Sequence, residues 1–211
     1  MFHPMTRGLL AGLATLVLSS AAPPPVEPSE RIEQLKARAA TGQKGAPALV
    51  AALKDPQAPV RVAALELLAT LRGRAAVPDI APLVLDREDS VAIRAVGALF
   101  DLGGDGTTAP LRNALRSPSA RVRTETASLA GDARAVRLVK DLGALLSDEL
   151  PGVRRTAVEA LRAIGDPATF PFLMAATGDA KATIVASAIA GLENLKDPRA
   201  LARITQLSAA V

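Results

Sequence analysis

The 211-residue chain has no cysteine, no tryptophan and no tyrosine; phenylalanine occurs four times and histidine once, at His3. Each absence removes a class of chemistry. Without cysteine there is no thiolate nucleophile and no disulfide. Without a histidine beyond His3 there is no Ser-His-Asp triad and no zinc or haem site of the usual kind. Without tryptophan or tyrosine, a stacking platform for single-stranded nucleic acid is hard to assemble. No catalytic residue, metal ligand or cofactor is therefore expected, and the reading is of a protein that is not an enzyme. A large excess of one charge is also missing: 25 basic residues stand against 21 acidic ones, a net of +4. That balance permits an anionic partner without demanding one.

The N-terminal residues have the layout of a secretory signal. Arg7 is the sole cation before Arg31, Gly8 to Leu18 is an apolar run of 11 residues, and Ser19-Ser20-Ala21 supplies the small residues of a cleavage site. A bilayer-spanning helix needs roughly 20 apolar residues, so residues 1–21 are expected to be a signal peptide rather than a stable membrane span; retention as a short anchor is the alternative. Residues 22–28 form a Pro-rich spacer, and the folded domain is expected over 29–211, opening with Ser29 as a helix N-cap and a capping helix over 29–41. The implied location is outside the cytoplasm, in a bacterial periplasm or beyond it.

The rest of the chain repeats every 31 residues. Val60, Val91, Val122, Val153 and Ile184 stand in one register; Ala64, Ala95, Thr126, Ala157 and Ala188 follow four residues on. Leu68, Leu99, Ala130, Leu161 and Leu192 lie eight on, and Leu71, Leu102, Ala133, Ile164 and Leu195 eleven on. Apolar residues at 0, +4, +8 and +11 form one stripe of a helix. A second stripe steps through Leu49, Ile80, Leu111, Leu142, Leu173 and Ile204, with Pro47, Pro78 and Pro171 at positions that suit a first helical turn. Breakers such as Lys54-Asp55-Pro56 and Gly165-Asp166-Pro167 separate the helices. Each unit thus reads as helix, turn, helix, turn, and only stacking buries both stripes. The third unit, with Thr126, Ala130 and Ala133 in place of larger groups, is expected to be the softest joint. The predicted last helix, Arg199 to Leu207, caps the other end.

These units resemble HEAT repeats, in the short form of the phycobilin-lyase-like proteins, over residues 44–209. The resemblance rests on Pro47-Asp55-Arg61, Pro78-Asp86, Ser117-Arg123, Asp148-Arg154 and Pro171-Asp179. It implies an all-α, right-handed solenoid of stacked helical hairpins. It also implies a structural ladder at Asp55, Arg61, Asp86, Arg123, Asp148, Arg154 and Asp179, in which carboxylates sit at helix N-termini and arginines bridge neighbouring units. The acidic run Asp86-Arg87-Glu88-Asp89 reads as a solvated cap, since the D-x-D-x-D-G calcium loop is absent. Leu102 to Thr108 is Gly-rich but lacks the strand and lysine of a phosphate loop, so it reads as a turn.

Two surfaces offer a partner site. Between Arg112 and Arg162 there are ten basic and six acidic residues, a patch that could steer an acidic partner or simply be a solvated face. In the solenoid that the resemblance implies, the second helices line the concave side, where +2, +6 and +9 point away from the stripe. Val62, Ile93 and Phe100 there would form an apolar patch beside Arg155 and Arg162, a combination that suits a protein or peptide. The expected function is that of an exported scaffold or adaptor that binds a protein or peptide. A bilin (tetrapyrrole) lyase or chaperone is one alternative; a nucleic-acid-binding repeat protein is the other, although no nucleic acid is expected.

Overall fold

A computed structural model describes residues 27–201 and Thr205. The predicted signal and most of the spacer lie outside the described residues, as do Ile204 and most of the last helix. The described chain opens on α1 (Pro28–Ala39) and continues as five helical pairs. The first helices of the pairs are short: α2 (Ala46–Ala52), α4 (Val77–Ile80), α6 (Thr108–Ala114), α8 (Val139–Ala144) and α10 (Phe170–Ala176). The second helices are longer: α3 (Ala58–Arg72), α5 (Asp89–Leu102), α7 (Ala120–Asp132), α9 (Pro151–Ile164) and α11 (Ala182–Leu195). Each packs on the next in chain order, α3 on α5 through to α9 on α11. This is an all-helical solenoid, and no strand occurs among the described residues.

Local chemistry sets the element ends. Pro47, Pro59, Pro78, Pro151 and Pro171 fall in first turns, where a missing N–H costs nothing. Pro82 cannot donate back to its own preceding turn, and α4 accordingly tightens into a 3-10 helix over Ala81–Leu85. Gly73, Gly103 and Gly165 end α3, α5 and α9 with φ of 53°, 62° and 62°, a region that costs glycine little. Ser29 is not the N-cap that its type suggests. The helix starts one residue earlier, at Pro28, with Glu27 in the flanking extended position, because proline's fixed φ already suits a first turn.

The stripes form the core. Leu49, Ile80, Leu111, Leu142 and Leu173 are fully buried, and so are Leu68, Leu99, Ala130, Leu161 and Leu192. Positions 0 and +4 are buried in all five copies as well. Position +11 is not a core position throughout: Ala133 is exposed and only Ile164 is buried, since α7 has already ended at Asp132. The buried arc is also wider than the stripe. It takes in +5, where Leu65, Val96, Ala127 and Val158 are buried and Ile189 is half-buried.

On its α9 side the third unit is closely packed. α7 and α9 make the most extensive helix–helix contact among the described residues. A Cβ on Gly131 would lie 2.8 Å from Ala160 Cα. Small side chains here let the backbones approach, and close packing replaces the volume that larger groups would fill. The hydroxyl of the buried Thr126 is satisfied by donating to the Val122 carbonyl at 2.6 Å.

A second feature locks unit to unit. Arg61 donates through Nε and Nη2 to both carboxylate oxygens of Asp86, at 2.9 and 2.6 Å, and through Nη1 to the carbonyls of Asp55 and Pro56. Arg123 repeats this on Asp148 with the carbonyls of Ser117 and Pro118. Arg154 repeats it on Asp179 with the carbonyls of Asp148 and Glu149. Each rung therefore ties the turn of one unit to the turn of the next. The aspartates have a second duty: Asp55, Asp86, Asp148 and Asp179 each accept the backbone N–H two residues on, closing the turn before the second helix. At the N-terminal end the capping helix supplies the cation, and Arg31 pairs with Asp55. Position 92 is alanine and position 117 is serine, so both halves of one rung are missing together. In its place Ser119 Oγ donates to Asp89 at 2.8 Å.

The opposite edge carries a smaller version of the same device. Gln43 donates to the Leu71 carbonyl and Arg74 to the Leu102 carbonyl, each at 3.0 Å. These satisfy orphan carbonyls at the ends of α3 and α5. At the far end the Arg199 guanidinium lies 4.2 Å from the centre of the Phe170 ring, a cation–π contact.

The rung carboxylates Asp148 and Asp179 titrate low. Burial pushes Asp148 up, but hydrogen bonds from Arg123 and the Leu150 N–H, with the charges of Arg123 and Arg154, outweigh it and leave the group below its ordinary 3.8. Asp179 is lowered chiefly by the Arg154 hydrogen bond, against burial. A folded-state pKa below the unfolded one contributes stability that is complete above the unfolded value and lost as pH falls through the folded one. The melting temperature should hold steady from neutral pH down to about pH 5 and drop below about pH 4. Asp148→Asn should lower it at neutral pH and shallow the acid limb; an acid limb unchanged by this substitution would show that the rung does not couple to folding.

Candidate functional site

The outer face of the second helices carries a groove of about 740 Å³ across α3, α5 and α7. Its floor is apolar and mostly small, with Leu65, Ala69, Ile93, Gly97 and Leu129 among the lining residues. Gly97 leaves the floor open: a Cβ built there meets nothing within 4 Å. A shallower depression of about 300 Å³ continues toward α9 between Leu150, Thr124 and Arg155, and it shares Arg121 and Glu125 with the main groove. The groove face thus runs over four helices.

Charged side chains rim it. Arg94 pairs with Glu66 across α5 and α3 at 3.0 Å, both partners about half exposed. Asp101, Arg121 and Glu125 line the groove and have no ion-pair partner among the described residues. Arg155 stands on the α9 side, 4.0 Å from Glu159 one turn on.

The sequence-predicted residues are divided by this geometry. Ile93 lines the groove and Arg155 its continuation. Val62 and Phe100 do not line either; both are half-buried and pack against the core. Arg162 is exposed at the end of α9, with its Cβ 3.4 Å from where a Cβ on Gly191 would stand. The ladder residues Asp55, Arg61, Asp86, Arg123, Asp148, Arg154 and Asp179 all take part in rungs, as the resemblance implies.

The displacement of the site has an angular cause. At 100° per residue, positions 0, +4, +8 and +11 centre a stripe roughly 35° short of the arc that 0, +1, +4, +5 and +8 define. Adding +1 and +5 turns the open face toward −1, +3, +6 and +10, where Arg121, Arg94, Glu66, Gly97 and Asp101 stand. Position +5 is apolar in all five copies, a signal the four-residue stripe leaves unused. Position +1 holds Arg61, Arg123 and Arg154, whose charge reads as surface although the rungs bury it.

The basic stretch from Arg112 to Arg162 largely dissolves into internal pairing. Arg112 and Arg116 both meet the buried Asp141, Arg123 and Arg154 form rungs, and Arg137 donates to Thr107. The acidic run is likewise engaged, Asp86 by Arg61 and Asp89 by Ser119. Among the described residues no cluster of three His, Cys, Asp or Glu side chains is placed to hold a metal, and no helix is long and apolar enough to cross a membrane.

With this geometry in hand, comparison with known proteins places the chain. The family model described as HEAT repeats matches residues 46–130, 108–193 and 139–210; the chain belongs to the HEAT-repeat family. Among solved structures it is similar to human deoxyhypusine hydroxylase in complex with glycerol, at 20% identity and a TM-score of 0.53, over 82% of this chain and 81% of that one. It is similar also to a designed armadillo repeat protein in complex with the peptide (KR)4, at 18% identity and a TM-score of 0.50, over 79% of this chain and 92% of that one. Comparison with curated protein sequences gives no match. The shared fold is that of repeat scaffolds, which commonly mediate protein binding; one of these two relatives is nonetheless an enzyme.

Gly97→Trp offers a clean probe of the groove. The indole projects into open space, and tryptophan is a better helix former than glycine. The variant should melt at or slightly above the parent temperature while filling the groove. A melting point several degrees lower would show that the floor at Gly97 is packed rather than open.

Proposed function

We propose that this chain is an exported HEAT-repeat scaffold that binds a peptide or an extended segment of a protein in the groove over α3, α5, α7 and α9, without catalysis. The open groove at Gly97 is the observation that carries the reading. It combines an apolar floor with charged rim groups that lack partners, the anatomy of a peptide site rather than of a packed surface. Its length fits as well. Packed helices lie about 8–10 Å apart, so four helices span roughly 27 Å, and an extended chain covers that with about eight residues. The designed armadillo relative is itself solved with a bound peptide, which lends the reading support by analogy of fold.

The non-catalytic part rests on composition, since a chain with no cysteine and with His3 as its one histidine lacks the residues for thiolate or Ser-His-Asp chemistry. The exported part rests on residues 1–21 and their signal-like layout. It predicts that expression of the full chain in a bacterium yields a periplasmic product beginning at Ala22 by intact mass; a cytoplasmic product retaining Met1 contradicts it. The binding part predicts that proteins captured from an envelope extract by the parent are lost with Gly97→Trp. An identical set captured by both variants would remove the groove from the function.

A further inference from the structure

The charges on the groove face are sorted by position along the helices. Near the start of the second helices stand Arg94, Arg121 and Arg155, all exposed, with Glu125 as the lone acid. Further along stand Glu66 and Asp101, which line the groove, with Asp132, Glu159 and Arg162 exposed beyond its lining. Two rows of opposite sign therefore flank the apolar floor.

The sorting runs against the helices' own preference. A helix N-terminus favours anions and a C-terminus favours cations. Arg121 is nonetheless the second residue of α7, Asp132 is its last, and Asp101 is the last but one of α5. Folding gains nothing from that placement at the termini concerned, and pairing within the chain does not explain it. Arg121, Asp101 and Asp132 have no ion-pair partner among the described residues. The rows are set for a ligand that brings the complementary charges.

Spacing narrows the ligand. The outermost registers, −1 at Arg121 and +10 at Asp101, are about 16 Å apart along the helix axis, with Arg155, Arg94 and Glu66 at +2, +3 and +6 between them. A chain lying along the floor between them sends alternate side chains to opposite walls. We propose that the groove takes an extended peptide segment of about eight residues in which acidic and basic side chains alternate. The acidic ones face Arg94, Arg121 and Arg155, and the basic ones face Glu66 and Asp101. Arg94 and Glu66, at +3 and +6, meet at 3.0 Å, and a bound chain exchanges this pair for its own charges. This rests on the groove being the binding site.

Two capped octapeptides of identical composition test it, titrated against the full chain at low ionic strength. In one, glutamate and lysine alternate; in its block isomer, four glutamates precede four lysines. The alternating peptide should bind at least about tenfold more tightly than its block isomer, since rim charge complementarity sets specificity. Arg121→Glu with Arg155→Glu should remove the difference, and Gly97→Trp should abolish binding; both variants should melt like the parent. Equal affinity for the two isomers, or binding of neither, overturns the proposal. A random octapeptide library panned in parallel separates the two levels of failure. Selected peptides that lack alternation but are lost with Gly97→Trp overturn the charge assignment and leave the groove standing. Selection of no peptide sensitive to Gly97→Trp removes both.

Discussion

A guanidinium shared by two units is the interaction on which this stack depends. Arg61, Arg123 and Arg154 are nearly buried, a position that would cost several kcal/mol for an unpaired ion. The cost is met because each arginine finds a bidentate carboxylate on the next unit and two turn carbonyls on its own. No guanidinium is fully satisfied within a single unit, since Nε and Nη2 find their acceptors on the next. The apolar stripes make stacking favourable in any register that buries them, whereas the rungs accept one register. The aspartates that close the rungs also close the turns before α3, α5, α9 and α11, so local turn geometry and unit-to-unit docking rest on the same carboxylates.

The ladder has one gap, and its place matters. Ala92 and Ser117 leave the joint between α5 and α7 without a rung, while the joints on either side are tied. The groove crosses that joint. Its walls belong to two laddered blocks that meet through packing and the Ser119–Asp89 hydrogen bond. The groove floored by small residues thus lies over the one joint lacking a rung among the internal joints described. Arg121 in the first turn of α7, with Asp101 and Asp132 in the last turns of α5 and α7, stands against the helix dipole and without an ion-pair partner among the described residues.

Architecture was legible in the sequence because periodicity reports burial. Five ungapped copies of Val60, Ala64 and Leu68 give helices, their count and their stacking. The rung aspartates and arginines were legible from the resemblance alone, since spacing in one chain does not say that Arg61 reaches forward to Asp86 rather than back to Asp55. The groove was half legible. Ile93 and Arg155 lie on it, but Phe100 and Val62 turn into the core, because the rungs draw +1 inward and rotate the face. Gly97, the most informative residue of the site, has no chemistry of its own; its meaning is the space above it, which only the packed neighbours define.

The measurement that bears most directly on the shared-guanidinium ladder is a double-mutant cycle at its gap, Ala92→Arg and Ser117→Asp, singly and together, followed by thermal and denaturant unfolding. Ala92→Arg alone should destabilise, because it buries a cation opposite a serine. Adding Ser117→Asp should restore the missing rung, with a favourable coupling of about 1–3 kcal/mol and a melting temperature at or above that of the parent. Additive effects of the two substitutions, with no recovery in the double variant, would contradict the ladder as the device that joins the units.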